Sequence, residues 1–259
     1  MNIVVCIKQV PDTTEVKLDP KTGTLIREGV PSIINPDDKA GLEEALKIKE
    51  ATGAKVTVVT MGPPQADVAL REAYAMGADE TILLTDRAFA GSDTWATSSA
   101  VAGLVKKLDY DLIIAGRQAI DGDTAQVGPQ IAEKLDIPQV TYVQDFSLEG
   151  DTVTVQRQLE DGYEVIKVKT PVMLTAVKEL NEPRYMSVDM IFDAFKKDVT
   201  IWTIDDLDID STVVGLKASP TRVARSFTPS PKGKGVMLEG TTQDKIERLV
   251  VELKHKHII

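Results

Sequence analysis

Four short apolar runs, each followed by a stretch with helical spacing, fill the first half of this 259-residue chain. The runs are residues 2–8, 55–61, 81–84 and 112–115. They are rich in Val, Ile and Leu and too short for helices. The first intervening helix is the clearest. Ala40, Leu42, Ala45, Leu46 and Ile48 recur on one face, with Glu43, Glu44, Lys47 and Glu50 outside, and Gly53 stops it. Asn35, Pro36, Asp37 and Asp38 open it with an N-cap candidate, a proline and two acids. Simple helix-start chemistry explains these two acids, and so does a ligand role. Further helices are expected from Gln65 to Met76, from Asp93 or Thr94 to Leu108, and up to Asp136. Strand and helix in alternation predict a mostly parallel, doubly wound sheet with right-handed crossovers and helices on both faces.

Ligands of such sheets gather beyond the carboxyl ends of the strands, where the strand order reverses. The candidate ends are Ile7 to Val10, Met61-Gly62, Thr85 to Asp93, and Ala115 to Gly128. The last is the richest. Leu112 to Ala115 runs into Gly116 and a loop of small and polar residues, and helical spacing resumes at Ile131. A strand, a glycine-bearing loop and a helix start present free backbone N–H groups to a phosphate. The loop carries neither the Walker nor the GxGxxG spacing. A plain strand–helix connection has the same outline, so pattern alone leaves both readings open.

Composition removes other function classes. A net charge of −10 disfavours non-specific binding to nucleic-acid phosphates. No apolar run approaches the ~20 residues a membrane helix needs, and no membrane insertion is expected. The amino terminus lacks a basic leader, so no signal peptide is expected. One cysteine cannot form an internal disulfide and suits a reducing, cytoplasmic compartment. Cys6 sits inside an apolar run and reads as a buried thiol. His255 and His257 are the only histidines, and with Cys6 they make neither a zinc cluster nor a nucleophile–base pair. Any chemistry here would belong to a cofactor.

The pattern changes after residue 139. Residues 139–146, 152–159, 163–169 and 172–177 read as antiparallel strands that extend the sheet, with turns at Gly150 and Gly162. A surface hairpin is expected over Val16–Leu18 and Thr24–Ile26. From Asn181 regular spacing is lost until a last helix near 242–254, giving an α/β domain over 1–180 and an irregular arm over 181–259. Met186, Ile191, Phe192, Phe195 and Trp202 within the arm suggest burial against a partner.

Several separate segments resemble, in order, the small (beta) subunit of electron-transfer flavoproteins. They include Ile7-Lys8-Gln9-Val10-Pro11-Asp12, Asn35-Pro36 followed by Glu43 to Glu50, Gly62-Pro63-Pro64-Gln65, and Ala75 to Asp79. Gly116-Arg117-Gln118-Ala119-Ile120-Asp121-Gly122-Asp123 and Leu180-Asn181-Glu182-Pro183-Arg184-Tyr185 complete the set. The resemblance implies an adenine nucleotide alpha hydrolase-like fold and a heterodimer with an alpha subunit. It implies either a structural AMP in this subunit or, in a branch from anaerobes, a second FAD. That FAD accepts hydride from NADH. Its electrons divide between ferredoxin or flavodoxin and, through the alpha-subunit FAD, an acyl-CoA dehydrogenase. The nucleotide contacts implied are Cys6, Ile7, Asn35, Asp38, Met61, Gly62, Thr94, Gly116, Arg117, Gln118, Ala119, Ile120, Asp121, Gly122, Asp123, Thr124, Ala125, Gln126 and Val127. Residues 86–94 would line the NADH side. Partner recognition falls to Asn181, Glu182, Pro183, Arg184, Tyr185, Val188 and Ile191, with Val188 at the position of an aliphatic anchor and Met190, Ile191 and Phe192 as alternatives. Small residues at Gly122, Thr124 and Ala125, and Asp37-Asp38 after Asn35-Pro36, are more similar to the FAD-carrying branch than to the AMP-carrying shuttle. An unrelated adenine-nucleotide module would lack the Asn181–Tyr185 segment.

Overall fold

The amino-terminal run forms β1 (Asn2–Cys6), and the other strands of the main sheet assemble on its two sides. The computed structural model describes residues 1–12, 31–224 and 233–259. The hairpin expected over 16–26 lies outside them. On one side of β1 stand β4 (Lys55–Met61) and β5 (Glu80–Leu84); on the other stand β6 (Leu112–Gly116) and β10 (Val172–Ala176). All of these pair in parallel. A separate antiparallel pair joins β2 (Gln9–Pro11) to β3 (Ser32–Ile34).

Both faces of the parallel strands are covered, which is why these runs are apolar throughout. Ile3, Val5, Leu112 and Ile114 face Leu42 and Leu46 of α1 (Pro36–Thr52) and Leu70 of α2 (Asp67–Met76). Val4, Ile113 and Ala115 face Val101 and Leu104 of α3 (Thr94–Val105) and Ile131 of α4 (Val127–Leu135). The chain winds β1, β4, β5 to one side, then returns across β1 to place β6. The order therefore reverses between β1 and β6, the position beyond whose strand ends ligands of such sheets bind.

One strand differs from the sequence expectation. Residues 139–149, 152–158 and 163–169 do form β7 (Gln139–Glu149), β8 (Thr152–Gln158) and β9 (Tyr163–Lys169), joined antiparallel. Val172–Ala176, however, is not a fourth antiparallel strand. It inserts between β6 and β7 and pairs in parallel with both. All five of its residues are buried, so it shows the unbroken apolar character of a central strand rather than alternation. β1 also stops earlier than residue 8, because Lys8 N donates to the Asp38 carboxylate instead of continuing the ladder.

The arm expected from 181 onward is partly built into the same body. The first compact unit runs from Met1 to Ala224 and the second from Arg225 to Ile259. Within the first, α5 (Val188–Ala194) packs on α2, and β11 (Thr200–Trp202) pairs in parallel with β5 as the sheet edge. Trp202 and Ile191 rest on the chain's own core, while Phe192 and Phe195 are exposed. The short α6 (Gly215–Ala218) follows. In the second unit, α7 (Thr242–His255) starts at a reciprocal Thr241–Asp244 capping box. Among the described residues no helix is long and apolar enough to cross a membrane.

The central place of β10 is testable by truncation. Leu174 is 2% exposed, whereas Val165 on β9 is 62% exposed. Leu174→Ala is expected to cost about 2–5 kcal/mol of unfolding free energy, and Val165→Ala no more than about 0.5 kcal/mol. Urea unfolding of the two variants measures this.

Candidate functional site

The start of α1 organises the crevice. Asn35 occupies the N-cap position, but its side chain makes no capping bond. It is fully buried and spans to the loop after β6 instead. Its Nδ2 donates to Gln118 O at 2.8 Å, and its Oδ1 accepts from Ile120 N at 3.0 Å. Asp38, also buried, accepts from Lys8 N at 2.7 Å and from Gly116 N at 2.8 Å. One carboxyl thus ties together the carboxyl ends of β1 and β6. A Cβ on Gly116 would collide with Asp38, so glycine is required there. Asp37 takes a third role. Its Oδ2 lies 3.3 Å from Arg117 Nε, and backbone N–H groups of Lys178 and Gln118 donate to it. The Arg117 guanidinium also stands over the Tyr142 ring at 5.6 Å.

The first part of the loop is closed by its own backbone. Gly122 N and Asp123 N both donate to Ala119 O, at 3.1 and 2.9 Å. Asp123 (φ 47°) and Ala125 (φ 51°) adopt left-handed conformations, and Gln126 returns to φ −113°. Alternation of this kind makes a concavity of backbone N–H groups that suits an anion. It opens onto the start of α4, where Gln126 supplies no side-chain cap. The first N–H groups of α4 are therefore unclaimed by a side chain, and the helix dipole favours negative charge there. Among the described residues nothing stands within 4 Å of where a Gly122 Cβ would be. Gly128, in contrast, seats α4 tightly on β10, since a Cβ there would meet Thr175 Cγ2 at 2.6 Å.

The loop acids are already occupied. Lys8 Nζ stands 2.6 Å from Asp121 Oδ1, and Gln118 Nε2 donates to Asp123 Oδ1 at 2.8 Å. Thr94, at the start of α3, donates its hydroxyl to Gln126 Oε1 at 2.9 Å. Of the residues singled out in the sequence, Asn35, Asp38, Gly116, Gln118, Ile120 and the rest of the loop are brought together directly, and Thr94 joins through Gln126. Met61 and Gly62 end the neighbouring strand β4, with Gly62 N donating to Leu84 O. The Ile7 side chain belongs to the apolar core on the α1 side. Cys6 is partly buried; desolvation first, and then the nearby Asp38 charge, push its thiol up to about 12, so it stays protonated at neutral pH. Lys8 and Tyr142 were missed. Lys8 adjoins the expected strand, but nothing in the sequence pairs it with residue 121. Tyr142 carries no pattern that sets it beside Arg117.

A second set of polar contacts leaves the same helix toward residues 181–184. Asn181 Nδ2 donates to Ala40 O at 3.0 Å and to Glu44 Oε2 at 2.9 Å. Arg184 grips Glu43 with two nitrogens, Nε to Oε2 at 2.9 Å and Nη2 to Oε1 at 3.0 Å, and also pairs with Glu50. Glu43 is consequently buried at 4% exposure, although helical spacing put it on the outer face. Glu182 is exposed and Pro183 partly buried. Tyr185 beyond them is 99% exposed and Val188 68%.

Burial raises the Asp38 carboxyl to about 7, against donations from Lys8 N, Asn35 and Gly116 N that favour its charged form. A folded-state value above the unfolded one (~3.9) means the folded chain holds the extra proton between about pH 4 and 7. Asp38 therefore contributes less to stability as pH rises through that window. Asp38→Asn removes the titration and leaves one backbone donor facing an amide, at a cost of about 1–3 kcal/mol. The expected result is that the variant is less stable than the parent at pH 5 and that this gap narrows by pH 8, as read by urea unfolding at the two values. A gap that widens with pH would contradict the assignment.

The electron transfer flavoprotein domain matches residues 22–207. The chain is 62% identical to the electron transfer flavoprotein subunit beta of Clostridium acetobutylicum over 259 residues, covering 100% of both chains. It is 60% identical over 262 residues to the caffeyl-CoA reductase-Etf complex subunit CarD of Acetobacterium woodii, again covering 100% of both. It is 50% identical over 268 residues to the acryloyl-CoA reductase electron transfer subunit gamma of Anaerotignum propionicum, with the same coverage. The phosphate-ready loop between β6 and α4 thus has its family: the chain belongs to the electron transfer flavoproteins, as a beta subunit.

Proposed function

We propose that this beta subunit carries FAD in the 116–128 loop, as part of a two-flavin heterodimer with an alpha subunit. Bound there, FAD would accept hydride from NADH and divide the electron pair between ferredoxin or flavodoxin and, through the alpha-subunit FAD, an acyl-CoA dehydrogenase. The observation that carries this reading is the open backbone at the start of α4. Among the described residues, Gly122 has free space where a side chain would stand and no side chain caps the helix, and Thr124 and Ala125 are small. That surface suits a phosphate group, and the small side chains leave space beside it. The names of the caffeyl-CoA and acryloyl-CoA reductase relatives support an acyl-CoA-linked partner.

The chain's own residues act as holders. Backbone N–H groups from Thr124 to Gly128 bind the pyrophosphate, since Gly122 N and Asp123 N are already bonded to Ala119 O. Asn35 and Asp38 hold the loop before the ligand arrives, which lowers the ordering cost of binding. Lys8 neutralises Asp121, so the loop does not present a bare carboxylate to a phosphate. Arg117, anchored by Asp37, adds positive charge at the strand end. Residues 181–184 are fastened to α1, and beyond them Tyr185, Val188 and Phe192 stand exposed as anchors for the dehydrogenase.

Anaerobic mixing of the purified heterodimer with NADH tests this reading. Rapid loss of flavin absorbance is expected, with ferredoxin reduced only when the dehydrogenase and its oxidising acyl-CoA substrate are present. Flavin that stays oxidised in excess NADH would refute it.

A further inference from the structure

Residues 95, 99, 102, 103 and 106 share one face of α3 and its C-terminal turn, at helical spacing. That face floors a groove of about 460 Å³. Small residues, Ser99, Ala102 and Gly103, keep the floor low. Lys134 of α4 forms one wall, and Ile209 and Val213 form the other. Three lysines, 106, 107 and 134, converge here on a chain whose net charge is −10. Lys107 is paired with Asp208 at 3.1 Å. Among the described residues, Lys106 and Lys134 have no carboxylate partner. The Lys134 ammonium lies 3.2 Å from the centroid of the Trp95 ring, and that ring is 48% exposed. Desolvation first, and then the charge of Lys106, hold Lys134 below the ordinary lysine range. A half-exposed tryptophan beside unpaired cations is the composition of an interface anchor.

The location adds the chemistry. Trp95 follows Thr94, whose hydroxyl donates to Gln126 at the start of α4. The Trp95 end of the groove therefore adjoins the residue that contacts the loop before α4, and Lys106 lies at the far end of α3. Screening limits surface charge effects to within about 8 Å at physiological salt. A local basic patch then decides the orientation of an acidic partner even when the net charge repels it.

We propose that the α3 groove docks the acidic surface of a small electron-carrying protein, with carboxylates meeting Lys106 and Lys134 and an apolar contact on Trp95. This rests on the two-flavin reading for what the partner receives. The docking itself is a matter of charge and shape.

The test uses the purified heterodimer and an acidic ferredoxin as probe, with binding followed by surface plasmon resonance at low and physiological salt. For Lys106→Glu with Lys134→Glu, Kd is expected to rise about tenfold or more, mainly through slower association, and its dependence on salt to flatten. Trp95→Ala should raise Kd and leave the salt dependence unchanged. Lys55→Glu with Lys167→Glu, an equal charge change elsewhere on the chain, should leave Kd as in the parent. No ferredoxin binding by the parent, an unchanged Kd in the groove variant, or an equal loss in the remote variant would overturn the proposal. NADH bleaching of the same samples reports separately. Bleaching that persists in the groove variant supports both readings. Groove-dependent binding without bleaching in any sample overturns the two-flavin reading and leaves the docking surface standing.

Discussion

The buried carboxyl of Asp38 is the interaction on which the crevice depends. Parallel strands end in N–H groups that the next residues must satisfy, and here one side chain satisfies two of them. Lys8 N at the end of β1 and Gly116 N at the end of β6 both donate to it. These two strand ends flank the reversal in strand order, so the bond closes the floor of the site. Burying such a group disfavours its charged form, and the raised proton affinity of Asp38 records that cost. The gain is a fixed exit direction for the loop, helped by Asn35 at Gln118 and Ile120.

Because Asp38 and Asn35 both belong to the start of α1, that helix links the site to a distant feature. Its first turn holds the 116–120 loop, and its later turns hold Asn181 and Arg184 through Ala40, Glu44, Glu43 and Glu50. Asp37 bridges the two sets, since Arg117 and the backbone of Lys178 both reach it. A single helix therefore sets both the 116–120 loop and the stem from which Tyr185 and Val188 project.

Most of the parallel core was legible in the sequence, because runs such as Ile3–Val5 and Leu112–Ala115 are apolar on both faces and the helices between them are amphipathic. The strand–glycine–helix outline of 112–135 was likewise legible and forms as β6, a loop and α4. What was not legible depended on contacts across the chain. Val172–Ala176 follows three antiparallel-type runs, and only its lack of alternation hinted at a central place between β6 and β7. Glu43 reads as solvent-facing until Arg184 is brought over it. Asn35 reads as a helix cap until Gln118 stands opposite. Lys8 reads as a strand end until Asp121 folds back to it. In each case a long-range partner overrode a local preference.

On the proposed reading, the backbone N–H groups from Thr124 to Gly128 hold the pyrophosphate of a second flavin. The most direct measurement is the nucleotide content of the heterodimer, released by denaturation under conditions that preserve both ligands and quantified by chromatography and mass. Two FAD per heterodimer with no AMP is the expected result. One FAD with one AMP would contradict it.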